Sequence, residues 1–189
     1  MLQVILSIIL TAILSENIAM IEFLGTGAVL ENERSTKKSL MLGLGTTLVM
    51  VIATLITWPL NNYLLVKVPY LQTMVFVLVV LAVVELLHLV AHNLLDNYCR
   101  SDFVKFAING AVLGICILNT QHYEEFWKAI LCAAATGIGF MLIMTLYAKL
   151  KDAYVDEEAI PASFRGLPIA LLTAGMITLA LMALTFSVG

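Results

Sequence analysis

The sequence predicts an all-α membrane protein: six transmembrane helices, built as two inverted three-helix repeats, with the first and fourth helices interrupted. The chain reads as a single integral membrane domain over residues 1–189, with repeat one at about 1–95 and repeat two at about 101–189. Three observations carry this. Of 189 residues, 61% are apolar and only 12% charged, against about 45–50% and about 25% in an ordinary soluble domain. Six apolar stretches approach the roughly 20 residues that cross a bilayer. Polar, glycine-interrupted stretches also recur at matching places in the two halves.

The stretches are 2–24, 39–60, 70–92, 103–119, 126–149 and 167–188. The charged run Glu31–Lys38 follows the first, the Asn61–Pro69 turn the second, and Leu94–Asp102 the third. Thr120–Glu125 and the longer Lys149–Gly166 connection separate the rest. The first stretch has no basic segment ahead of it, and its apolar character continues past Glu16 and Asn17 to Leu30. It is therefore expected to be a retained helix and not a cleaved leader. So little charge cannot cover a water-exposed surface, which excludes a soluble enzyme and a nucleic-acid binder; the partner of most of this surface is membrane lipid. Cys99, Cys116 and Cys132 show no metal-binding or disulfide spacing, and the last two lie in apolar runs, as buried small hydrophobes do.

Orientation follows from Lys and Arg. The gaps after the first, third and fifth stretches hold Arg34, Lys37, Lys38, Arg100, Lys105, Lys149, Lys151 and Arg165; the other gaps hold only Lys67 and Lys128. This bias predicts both termini on the outer, periplasmic side of the cytoplasmic (inner) membrane. Trp58, Tyr63, Tyr70, Tyr123 and Trp127 then fall at the outer boundary, where amphipathic rings settle.

The second stretch carries Gly43-Leu44-Gly45 and the fifth Gly137-Ile138-Gly139. The first carries Glu16-Asn17 and Gly25-Thr26-Gly27, and the fourth Asn109-Gly110-Ala111-Val112-Leu113-Gly114. Three helices per half force opposite orientations on the halves, and interrupted helices at matching positions point to a site near the midplane. Free backbone groups are tolerated at that depth only where something satisfies them. For the Gly-x-Gly steps, close helix approach is the simpler explanation.

Several segments, taken in order, resemble the six-helix membrane subunits of the Rnf and Nqr ion-translocating electron-transport complexes, and more closely RnfA, the counterpart of NqrE, than the RnfE/NqrD sister. They are Phe23-Leu24-Gly25, Ser35-Thr36-Lys37-Lys38, Gly43 through Met50, Asn109 through Gly114, Leu118-Asn119, Pro161-Ala162-Ser163-Phe164-Arg165-Gly166 and Ile169 through Gly175. The resemblance implies membership of an electron-transport complex, paired with an RnfE/NqrD-like sister and taking part in redox-driven Na+ or H+ translocation. In that family two cysteines from each partner hold a shared [2Fe-2S] cluster. Here the two family cysteine positions are Gly27 and Gly110. Glycine has no side chain to ligate iron, so no cofactor is expected to be bound by this chain. A transporter or scaffold of the same fold, without redox chemistry, is the competing expectation.

No catalytic residue is evident. Glu16, Asn17 and Asn109 are the candidates for an ion or electron path, because a carboxylate and amides within the bilayer are costly unless paired or used; pairing with another helix remains the alternative for Glu16. Glu85, His88 and His92 share one face of the third stretch at i, i+3, i+7 and are weak metal candidates. Snorkelling to the nearby interface explains them more cheaply.

Overall fold

The computed structural model describes residues 8, 11–12, 36–92, 110–154 and 161–188. Among them the fold is wholly helical, with no strand. Helix α1 is Thr36–Tyr63, α2 is Gln72–His92, α3 is Gly110–His122, α4 is Phe126–Tyr154 and α5 is Leu167–Val188. Two short 3-10 turns, Leu65–Lys67 and Pro69–Leu71, join α1 to α2, and a third, Ala162–Phe164, precedes α5. By length and composition Ser39–Tyr63, Pro69–Leu87 and Phe126–Lys151 can each cross a membrane, and Leu167–Ala183 is a shorter apolar helix. Ile8 and Ala12, from the first apolar stretch, are helical and buried in the same core.

The helices run further than hydropathy suggests. α1 continues to Tyr63 through Pro59, α3 to His122, and α4 to Tyr154, beyond Lys149 and Lys151. Charge marks where a helix leaves the hydrocarbon, not where its backbone hydrogen bonds stop. The tight punctuation lies before α5. Arg165 is extended and Gly166 adopts φ +80, a conformation that L side chains rarely take, before Leu167 starts the helix with Pro168 in its first turn.

α1 is the central element, packed chiefly against α4 and also against α3 and α2. Its buried face is Ser39, Leu42, Thr46, Val49, Met50, Ala53, Thr54 and Thr57. α2 adds a narrow stripe, Phe76, Val80, Val83 and Val84, while α4 contributes Ala133, Phe140, Met144 and Tyr147. α5 rests on α4 through Ala174 and Ile177, and the Tyr147 hydroxyl donates to the Ala170 carbonyl at 3.5 Å.

The α1–α4 crossing is set by the two Gly-x-Gly steps. A Cβ added to Gly43 would lie 2.6 Å from Met141 Cγ and 3.0 Å from its Cα. One added to Gly137 would lie 2.5 Å from Thr47 Cγ2 and 2.9 Å from its Cα. Each helix therefore offers a glycine to the residue four places beyond the other helix's glycine. Gly137 stands 94 residues after Gly43, and Met141 94 residues after Thr47. Exchanging the two helices exchanges the two contacts, which is the pattern of an isologous, two-fold-related interface.

Candidate functional site

Small side chains draw α1, α3 and α4 together, and polar groups collect where they converge. The hydroxyls of Thr46, Thr47 and Thr57 donate to the carbonyls of Leu42, Gly43 and Ala53 at 2.9, 2.8 and 2.8 Å. Such bonds to the preceding turn satisfy a hydroxyl within its own helix. Asn119 of α3 is different, because an amide brings two donors and an acceptor that its own helix does not use. Its Nδ2 donates to the Ala129 carbonyl of α4 at 3.1 Å and reaches Thr54 Oγ1 of α1 at 3.5 Å. Asn119 is fully buried, and among the described residues no donor reaches its Oδ1. The buried thiol of Cys116, one turn earlier, lies within hydrogen-bonding reach of the Thr54 and Thr57 hydroxyls.

This junction leads to the end of the bundle where α1 meets α2 and α3 meets α4. Gln72 Nε2 donates to Thr120 Oγ1 at 3.2 Å, and the Thr120 hydroxyl in turn reaches the Cys116 and Ile117 carbonyls. Trp58 Nε1 donates to the Tyr123 carbonyl at 3.0 Å, and its ring packs on Phe126 with centroids 5.2 Å apart. At the surface Glu125 accepts from Trp127 Nε1 at 2.6 Å and from Lys128 Nζ at 2.8 Å. The Lys128 bond holds the Glu125 carboxyl below its ordinary range, with the Trp127 bond adding to it. The aromatics assigned to one boundary thus do gather: Trp58 joins Tyr123 and Phe126, while Tyr63 and Tyr70 project outward.

Of the sequence candidates, Glu16, Asn17, Gly27 and Asn109 lie outside the described residues. Gly110 opens the described part of α3 and is exposed. Glu85 is exposed on α2; His88 and His92 share that helix, but their side chains lie outside the described residues. Among the described residues no three His, Cys, Asp or Glu side chains gather as a metal site would require. Asn119, seen in the sequence only as part of the Leu118-Asn119 resemblance, and Thr54 were not singled out as site residues. The available signal was a single amide near the end of an otherwise apolar run.

Comparison with known proteins decides the family. Residues 5–188 match the family model described as "Rnf-Nqr subunit, membrane protein". The chain belongs to the Rnf-Nqr family. Its similar relatives include proteins named as the A component of an ion-translocating oxidoreductase complex. That of Sodalis glossinidius is 30% identical over 185 residues, covering 95% of each chain. That of Thioalkalivibrio sulfidiphilus is 31% identical over 180 residues, covering 93% of each. That of Glaesserella parasuis is 30% identical over 190 residues, covering 98% of this chain and 97% of the relative.

As an Rnf-Nqr chain, this protein offers poor ligands for a cluster in its described part. Gly110 has no ligating atom, and Cys116 lies six residues further, about 9 Å along the helix. Its thiol is buried between α1 and α3, against the Thr54 and Thr57 hydroxyls. Cys132 is likewise buried, its sulfur 3.9 Å from Thr136 Oγ1. Among the described residues, the donor set does not fit an iron–sulfur cluster.

Proposed function

We propose that this chain is a membrane subunit of an Rnf/Nqr-type ion-translocating oxidoreductase complex, contributing to redox-driven Na+ or H+ translocation beside an RnfE/NqrD-like sister subunit. The observation that carries the reading is the alignment, over almost the whole chain, with relatives named as the A component of such a complex. The apolar spans put the chain in a membrane. The excess of Lys and Arg in alternate gaps favours the cytoplasmic membrane with both termini outside.

In this reading six helices form two inverted repeats, α1 and α4 being the second helix of each. The reciprocal contacts of Gly43 with Met141 and of Gly137 with Thr47 support it, since a two-fold axis between the repeats requires such a pair. The chain itself binds no [2Fe-2S] cluster. Glycine at 27 and 110 and the enclosure of Cys116 support that statement. Glu16, Asn17 and Asn109 remain path candidates.

The glycines also favour a second reading, a transporter or scaffold of the same fold that carries no electrons. Purification of the tagged chain in mild detergent separates the two. Recovery of a sister subunit with flavin- or iron–sulfur-carrying subunits is the expected result. Recovery alone or as a homo-oligomer overturns complex membership. Stoichiometric iron and acid-labile sulfide in the isolated subunit pair, lost on substitution of Cys116, would overturn the claim that this chain ligates no cluster.

A further inference from the structure

Asn119 Oδ1 is a fully buried acceptor to which no donor among the described residues is bonded. An unsatisfied amide oxygen of this kind costs about 1–3 kcal/mol, and in a hydrocarbon surrounding nothing offsets the cost. Turning the amide over does not help. It would set Oδ1 against the Ala129 carbonyl, now 3.1 Å from Nδ2, and so oppose two acceptors. The orientation is fixed by that carbonyl, and the oxygen is left without a donor among the described residues.

The neighbours are also acceptors. The Thr57 hydroxyl spends its proton on the Ala53 carbonyl at 2.8 Å, so toward the Cys116 thiol it is an acceptor. Thr54 Oγ1 receives the Asn119 amide. The groups named at this junction are all uncharged: the Asn119 amide, the Thr54 and Thr57 hydroxyls and the Cys116 thiol that both hydroxyls reach. A species that suits this must present positive charge density, be small, and accept neutral oxygen ligands.

We propose that Asn119 Oδ1, where α3 meets Thr54 of α1, forms a binding site for a small electropositive guest, a water molecule or a dehydrated Na+ ion. The chemistry shared by the two is a positive end directed at the amide oxygen. The site stands on the burial and bonding of Asn119 alone. Its use as a resting point for the translocated ion, in the half of the bundle that ends at Trp58 and Tyr123, rests on the function proposed above.

The test is infrared difference spectroscopy of the purified protein, in whatever assembly it is recovered, with its asparagine side chains carbon-13 labelled. Asn119→Leu assigns the band by removing one carbonyl. A guest lowers the Asn119 carbonyl frequency from that of a free amide. If the band then moves when Na+ is exchanged for choline, the guest is Na+. If it ignores that exchange, and oxygen-18 water shifts an O–H stretch that is absent in Asn119→Leu, the guest is water. A band at the free-carbonyl frequency, indifferent to both exchanges, overturns the proposal. Should Asn119→Leu fail to fold, Thr54→Val assigns the band instead by shifting it, and density within about 3 Å of Oδ1 in an experimental map gives an independent answer. A chain that purifies without redox subunits refutes the proposed function and leaves this band to report on the site.

Discussion

α1 and α2 are nearly equal in mean hydropathy, yet half of the most apolar window of α1 is buried in the bundle and only 22% of that of α2. What separates them is side-chain size and polarity. α1 carries Gly43, Gly45, Thr46, Thr47, Ala53, Thr54 and Thr57, whereas Val75–Leu87 of α2 is almost entirely Val, Leu and Phe. Lipid tails are as apolar as leucine, so hydrophobicity drives a segment into the membrane without drawing it to other helices. Small residues, which let backbones approach, and hydroxyls, which need partners, decide which helix takes the centre. Hydropathy tells that both helices insert; only the small polar positions tell which one organises the fold.

The largest effect expected from this contrast is at Gly137. Its would-be Cβ meets the Thr47 backbone at 2.9 Å, so relief requires the helices to separate. Gly137→Val should cost about 3 kcal/mol, seen as a lower midpoint in reversible denaturation in mixed micelles. Leu86→Ala on α2, where the side chain is 62% exposed, should stay within about 0.5 kcal/mol. Equal losses at the two positions would break the comparison. Gly43→Ala should fall between them at about 1–2 kcal/mol: the added methyl is smaller than the valine side chain, but only the Met141 Cγ at 2.6 Å can turn away, while its Cβ at 2.9 Å and Cα at 3.0 Å yield only if the helices shift. Gly175, with nothing within 4 Å, sharpens the point. Gly175→Ala should be neutral or stabilise the isolated chain by up to about 1 kcal/mol.

The next effect concerns the end of α1. Trp58→Phe keeps a ring against Phe126 but removes the donor to the Tyr123 carbonyl. A loss of about 1 kcal/mol is expected. Tyr70→Phe, on a side chain 80% exposed, should change nothing measurable. A Trp58→Phe variant as stable as the parent would show that ring packing alone holds α1 to the α3–α4 turn.

Much of this was legible in the sequence, and what was not has a physical reason. The apolar stretches at 39–60, 70–92, 126–149 and 167–188 fall on α1, α2, α4 and α5, because insertion depends on summed hydropathy, which the sequence states directly. Helix ends were less legible: α4 runs to Tyr154 because a lysine can leave the bilayer without leaving the helix. The Gly-x-Gly steps pointed to close approach, and Gly43 and Gly137 show it; that each meets the other's neighbour is a three-dimensional fact no single helix contains. Asn119 was visible only as part of a resemblance. Its demand arises from Ala129 on the next helix and Thr54 on an earlier one, and spacing along the chain does not express that convergence.

The smallest effect lies outside the bilayer, where the contrast between buried and exposed polar groups can be read by titration. Glu125 is exposed, and its carboxyl is held below the ordinary 4.5 first by Lys128 and then by Trp127. A depressed folded value means that its contribution is present above the ordinary carboxylate range and is lost as pH falls through the depressed value. Because water screens the pair, the change in stability should be negligible, but the local geometry should respond. With Trp58→Phe as background, Trp127 is the remaining tryptophan, and its fluorescence should titrate with a midpoint below 4.5. Lys128→Met should raise that midpoint, since it removes the leading cause of the depression. A midpoint indifferent to Lys128 would mean that the Trp127 bond alone orders the turn, and that the charge at this end of the bundle serves solubility and not the shape of the connection.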